Sequence, residues 1–203
     1  MLFKPGTDFK YGNISNVLLG EILEKITEKS FEEIAGKLFK KLKLKNTYCY
    51  NPENRSKAVS SYRLKNNEPE LVKEIIHAKM VPAAGIISNA NDLALWNYKL
   101  HHGKILKKES YELLTQSSAM SQHDVFGPEK MGYGYNIRIA EEKGVKYIGH
   151  TGLGDGFASL NVYFPKEDVS LIILENVMGD SSDNWYFYET EIKNLIIEDL
   201  RKN

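Results

Sequence analysis

Cys49 is the only cysteine among the 203 residues, so no intrachain disulfide can form and no cysteine-rich metal site can be built. An excess of charge of either sign is also missing: Lys+Arg and Asp+Glu stand at 27 each. A chain without a net field has little to draw it to nucleic acid or to an anionic membrane. The basic run Lys40, Lys41, Lys43 and Lys45 is flanked by acidic helix faces and reads as solvated surface. No stretch approaches the roughly 18 consecutive apolar residues of a membrane-spanning helix. The five histidines (His77, His101, His102, His123, His150) have no H-E-x-x-H or comparable spacing, so neither a metal nor another cofactor is expected. Internal repeats and low-complexity linkers are absent as well.

What is present describes a globular protein. A hydrophobic share of 42% and a charged share of 27% are ordinary, and the length suits one domain with a sizeable core. Lys4-Pro5-Gly6-Thr7 is a turn signal. From Ile14, the residues Val17, Leu18, Ile22, Leu23 and Ile26 recur at three- and four-residue spacing, which predicts an amphipathic helix of about four turns. Ser30 and Glu33 form a capping box that opens a second helix burying Ile34, Leu38 and Phe39. Residues 46–82 read as irregular, with a short strand pair around 59–64 and 71–75. A third helix over 91–102 has Ser88 or Asn89 to cap it and Gly103 to end it. A short fourth follows at 109–116.

The period then changes. Runs 133–139, 145–150, 158–164 and 169–176 are short and β-rich, separated by glycine, proline or charged turns. Pro165-Lys166-Glu167-Asp168 is a tight connection that makes the last two strands antiparallel neighbours. A final helix over 185–200 carries Ile192, Leu195, Ile196 and Leu200 on one face. Helices first, then an antiparallel meander, then a covering helix: the class is α+β.

Two clusters have chemical potential. In Tyr11-Gly12-Asn13 a phenol and an amide precede a helix N-terminus. A phenol near the positive end of a helix can act as a general base; equally, a loop tyrosine can simply pack on a core. In Gly149-His150-Thr151-Gly152-Leu153-Gly154-Asp155-Gly156-Phe157, four glycines occupy eight positions between two strands. The spacing and the following strand exclude a dinucleotide-binding loop. Either this is a glycine-rich β-turn with His150 at a strand end, or it is a substrate-facing strand edge. In the second case His150 and Thr151 donate hydrogen bonds and the Leu153 N–H addresses an oxyanion.

Several segments together resemble one family. Phe3-x-Pro5-Gly6-Thr7-x-Phe9-x-Tyr11-x-Asn13 and Leu18-Leu19-Gly20 are similar to the tyrosine-motif region of class C β-lactamases and low-molecular-weight penicillin-binding proteins. Leu42-x-Leu44-x-Asn46-Thr47 and Ala83-Ala84-Gly85-Ile86-Ile87-Ser88-x-Ala90-x-Asp92-Leu93-Ala94-x-Trp96 continue the likeness. Gly132-Tyr133-Gly134-Tyr135, His150-Thr151-Gly152, Gly156-Phe157-Ala158-Ser159, Pro165 and Glu175-Asn176 complete it, in order over essentially the whole chain. The resemblance implies a β-lactamase/DD-peptidase-like fold, an antiparallel sheet flanked by helices plus a helical lobe. It implies one incomplete domain over 1–203, with 1–130 mostly helical and 131–203 forming the sheet and C-terminal helix. The implied activity is that of a serine acyl hydrolase on a β-lactam, D-alanyl peptide or ester, that is, on a small or peptide-like molecule. By the same resemblance Tyr11 is the general base or proton relay and Asn13 binds the substrate amide. His150 stands where the Lys-Thr-Gly motif usually has lysine, as in esterase- and peptidase-like members. Thr151 and Gly152 belong to that substrate-binding motif, Thr151 meeting a carboxylate or carbonyl, and the Leu153 N–H is half of the oxyanion hole.

The family's nucleophile lies in Ser-x-x-Lys on a helix upstream of the tyrosine motif, where one helical turn sets the amine beside the hydroxyl. No serine of this sequence is followed three residues later by lysine. The chain is therefore expected to start near the second motif, without the nucleophile helix and the N-terminal strands, and to be inactive alone. The N-terminus has no signal-peptide pattern, which decides nothing about compartment for a chain expected to start inside a domain. The expected consequence is an open apolar strand edge at 169–176 that invites a second copy or a separately encoded N-terminal segment. The alternative is a non-catalytic relative that keeps the cleft to bind peptide-like ligands or a partner.

Overall fold

The computed structural model describes residues 2–73, 76–121, 130–182 and 185–202. Its first part contains α1 (Ile14–Thr27), α2 (Phe31–Leu42), β1 (Tyr48–Cys49), β2 (Tyr62–Lys65), β3 (Glu68–Leu71), α3 (Val81–Ala84), β4 (Ile86–Ile87), α4 (Ala90–His101) and α5 (Lys108–Thr115). Then come β5 (Ala119–Met120), β6 (Gly132–Tyr133), β7 (Arg138–Glu142), β8 (Val145–Gly154), β9 (Phe157–Phe164), β10 (Val169–Glu175), β11 (Val177–Met178) and α6 (Phe187–Leu200). The class is α+β. The main sheet is a six-stranded antiparallel meander in the order β10-β9-β8-β7-β6-β5, and β11, β2 and β3 form a small second sheet.

Alternating side chains on β9 sort the core. Leu160, Val162 and Phe164 face α6 and pack with Val145, Tyr147 and Ile197, whereas Tyr163 faces the other side with Ile137 and Ile148. On that other side α4 is tied to the sheet by Asn97, whose amide donates to Asn161 Oδ1 (2.7 Å) and Ser170 Oγ (3.2 Å). Helices therefore cover both faces. A separate cluster of Ala35, Phe39, Leu42, Leu44, Cys49 and Val81 holds the helical part together.

Local signals explain most of the helices. The Ser30/Glu33 capping box forms, Ser30 N donating to the Glu33 carboxylate (2.8 Å) and Glu33 N to Ser30 Oγ (3.2 Å). Asn89 caps α4 by accepting from Asp92 N, and Gly103 adopts φ 67° just beyond that helix. The Asp92 carboxylate is buried and accepts from Asn46 N (2.7 Å) and Thr47 Oγ1 (2.8 Å), so it locks the 46–47 segment to α4. Gly20 lets α1 lie against α3, since a Cβ there would come within 2.5 Å of the Pro82 ring.

Three expectations need correction, and one open reading is resolved. The strand pair in the first half is β2–β3, turning at Asn66-Asn67, both with positive φ. Two consecutive left-handed asparagines make a tight hairpin turn, which puts the second strand three residues earlier than expected; residues 74–75 lie outside the described residues. The run 133–139 is two strands, β6 and β7, because Asn136 at φ 57° breaks it. The glycine-rich segment, open between a turn and a strand edge, is strand through Gly154, and only Asp155-Gly156 turns, φ 52° and 80°. Finally, α6 buries Glu189, Lys193 and Ile197 with Ile196 and Leu200 beside them, leaving Ile192 and Leu195 exposed. Apolar spacing missed this stripe because two of its buried members are charged.

The predicted first helix forms, but its apolar side chains are not covered. Ile14, Leu18, Leu19, Ile22, Leu23 and Ile26 are all exposed, at 41–74%. Likewise β10 is hydrogen-bonded to β9 alone, so its outer edge is unpaired among the described residues.

Candidate active site

Pairing along β8 builds the reactive-looking edge. β7 pairs with β8 only from Val145 to Gly149, while β9 pairs with it from Ile148 to Gly154. Residues 150–154 thus have a sheet neighbour on one side only. The two-residue turn at Asp155-Gly156 makes Gly154–Phe157 the closing hydrogen-bonded pair, and alternation then directs the Leu153 N–H away from β9. Gly149 is required where β8 comes closest to β9, since a Cβ there would sit 2.1 Å from the Asn161 carbonyl.

That open edge borders a cavity of about 2550 Å³ which Tyr11, Asn13, His150, Thr151, Gly152 and Leu153 all line. Every residue singled out in the two sequence clusters therefore meets at one place. Tyr11 stacks on His150, centroids 5.7 Å apart, and meets Tyr133 edge-on at 6.0 Å. Asn13 is the N-cap residue of α1, yet its side chain makes no capping hydrogen bond, so the amide is not consumed by the helix.

His150 is committed on both nitrogens. Nδ1 lies 2.6 Å from the Thr151 carbonyl, which only accepts, so Nδ1 carries the hydrogen and Nε2 accepts from the Tyr133 hydroxyl at 3.0 Å. Burial, opposed by the Thr151 carbonyl and aided by nearby Arg138, pushes the imidazole down to about 4. It is uncharged at neutral pH. Burial pushes the Tyr133 hydroxyl up to about 12, with Tyr11 adding to the rise and Arg138 opposing it. Tyr133 is a proton donor here, not a base.

Sequence reasoning gave no role to Arg138, Tyr133 or Tyr186. The buried Arg138 guanidinium lies over the Tyr11 and Tyr133 rings, 5.3 and 5.9 Å from their centroids, and donates to Ser121 Oγ. It places a buried positive charge near the uncharged His150. The available signal was an arginine inside the β-rich run Tyr135-Asn136-Ile137-Arg138-Ile139, an expensive residue to bury without a task. No comparable signal marks Tyr186, which is brought to Thr151 from the flank of α6. Among the described residues no group of three or more acidic, histidine or cysteine side chains is placed to hold a metal; His123 lies outside them.

The Beta-lactamase family model matches residues 1–189. The chain belongs to the beta-lactamase family. A curated relative in Staphylococcus aureus, strain N315, Protein flp, is 25% identical over 181 residues, covering 87% of this chain and 35% of its own. Among solved structures, the octameric penicillin-binding protein homologue from Pyrococcus abyssi matches with TM-score 0.75 and 29% identity, over 87% of this chain and 40% of that one. A D-stereospecific amidohydrolase from Streptomyces sp. matches with TM-score 0.70 and 25% identity, over 88% and 52%. D-amino acid amidase from Ochrobactrum anthropi SV3, at 16% identity and TM-score 0.76 over 97% and 63%, shares the beta-lactamase fold. The chain spans about a third of the length of the curated relatives it matches.

Proposed function

We propose that this chain forms the substrate-binding side of a serine acyl hydrolase of the β-lactamase/penicillin-binding-protein type. The reading rests on the convergence of Tyr11, Asn13, His150, Thr151 and the Leu153 N–H on one cavity. In this reading a serine hydroxyl from a segment outside this chain adds to the acyl carbonyl of a β-lactam, D-amino-acid amide or peptide, or ester. Tyr11 relays its proton to the leaving group, giving up its own phenol proton as it accepts the serine's, and the charge formed on the carbonyl oxygen is received by the Leu153 N–H. Asn13 holds the substrate amide. His150 and Tyr133 fix the orientation of Tyr11, and Arg138 packs over its ring.

The chain alone is inactive in this proposal. Ligand pockets are typically about 300–1,000 Å³, and this cavity is far larger. Such a space suits a further polypeptide segment together with a substrate, and that segment would also cover α1 and pair with β10. A second copy of the chain is the other candidate occupant. The alternative function, a non-catalytic binder, is favoured by one observation: both nitrogens of His150 are already engaged.

Intact-mass measurement after exposure to a labelled penicillin and to a fluorophosphonate tests the reading. No adduct is expected on this chain alone, whereas adding the upstream segment of a relative with Ser-x-x-Lys should produce one. An adduct on the isolated chain overturns the missing-nucleophile claim. A ligand-induced rise in melting temperature, with no adduct even after complementation, supports the non-catalytic alternative.

A further inference from the structure

Tyr186 has the least expected backbone in the site. It precedes α6 with φ 60° and ψ 24°, a left-handed conformation that a bulky L-residue rarely adopts. Helix capping by its side chain does not explain this, because that side chain makes no cap hydrogen bond. The phenol lines the same cavity as Tyr11 and Thr151 and reaches the Thr151 side chain. Strain at a residue whose side chain enters a cleft is a reason to look for a task there.

The surroundings of Thr151 define that task. Its neighbour His150 is uncharged, with Nδ1 bound to the Thr151 carbonyl and Nε2 to Tyr133. Arg138, the nearby cation, is 6% exposed, stacked against two tyrosine rings and engaged with Ser121. The wider cavity wall carries both signs, Glu175 as well as Lys45, Arg55 and Lys57, so the local arrangement at Thr151 decides. A carboxylate arriving at Thr151 would have to displace a phenol and would find an uncharged imidazole beside it, with the Arg138 guanidinium buried. A neutral amide or ester can instead share the hydrogen bonds of Thr151 and Tyr186, since both hydroxyls donate and accept.

Resting on the acyl-hydrolase reading of the cleft, we propose that Tyr186 is a specificity-determining residue: it closes the Thr151 end against a substrate carboxylate and selects substrates that end there in a neutral amide or ester. The negative selection comes from an occupied hydroxyl beside an uncharged imidazole, not from pocket size alone.

NMR titration of the full chain at pH 7 with N-acetyl-D-alanyl-D-alanine and with its C-terminal amide tests this, and it reads affinities into the millimolar range. The unmodified chain should bind the amide about tenfold or more tighter than the acid. Tyr186→Phe, which removes only the hydroxyl, should narrow that ratio. Tyr186→Gly, which also suits the left-handed backbone, should bring it to about threefold or less by strengthening acid binding. Equal affinities in the unmodified chain, tighter binding of the acid, or a ratio unchanged in both variants would each overturn the role of Tyr186. If neither ligand perturbs the resonances of the cleft in any variant, the acyl-hydrolase reading itself fails and takes this inference with it.

Discussion

Glu189 is fully buried on α6, and neither carboxyl oxygen has a partner beyond the residue's own backbone N–H. Burial raises its pKa, and Glu175 on β10 is raised by burial and by Glu189 in turn. A carboxyl whose folded-state pKa lies above its unfolded value contributes full stability below about pH 4.5. That contribution is lost as pH rises through the folded pKa. Glu189→Gln should therefore match the parent near pH 4 and be more stable by roughly 1–3 kcal/mol at pH 8. Thermal melts across that range check this, and a gain independent of pH would contradict it. Lys193, one turn later and equally buried, differs because it pairs with Glu142 and lies over the Tyr147 ring. The same helix thus carries one buried charge with a partner and one acid that burial favours as neutral.

The hairpin β8–β9 sets the geometry of the site through its turn. Gly156, at φ 80°, is packed so closely that a Cβ would lie 2.8 Å from Val72 and 2.9 Å from the Tyr62 backbone. The turn is also anchored by Ser61, whose hydroxyl donates to the Asp155 carbonyl at 2.5 Å. Gly156→Ala should destabilise the chain by about 2 kcal/mol or more, since it is strained both in φ and in space. It should also shift the amide resonances of Leu153 and Thr151, because turn and open edge share one register. A variant with unchanged stability and unchanged resonances would mean that the turn does not set that edge. The small sheet has a clear part in this arrangement: β2 braces the turn while β11 fixes β2 through parallel pairing.

For the whole molecule, the largely exposed face of α1 and the edge of β10, unpaired among the described residues, are expected to set the behaviour in solution. Exposed apolar patches and free strand edges promote association. The isolated chain should self-associate at micromolar concentration in sedimentation experiments. Leu174→Lys, at an exposed residue of the edge strand, should weaken that association while costing no more than about 1 kcal/mol of stability. A clean monomer with cooperative unfolding would count against the proposal that another segment or a second copy completes the site.

The sequence by itself determined whatever depends on neighbours along the chain. The Ser30/Glu33 box, the Asn89 cap, the four-turn spacing of α1 and the tight link between β9 and β10 are local hydrogen-bond or steric devices, and all of them form. The two clusters at 11–13 and 149–157 were legible because their residue types resemble one family's motifs, and the fold brings them to one cavity. Only the tertiary structure decided the rest. Glycines 149, 152 and 154 look like a turn locally, but pairing with β9 stabilises them as strand. Arg138 and Tyr186 come to the site from β7 and from the flank of α6, positions that no local pattern connects to it. The apolar stripe of α1 predicted a buried face, yet burial requires a covering element as well as a pattern, and α3 covers α1 only around Gly20, leaving most of the stripe exposed.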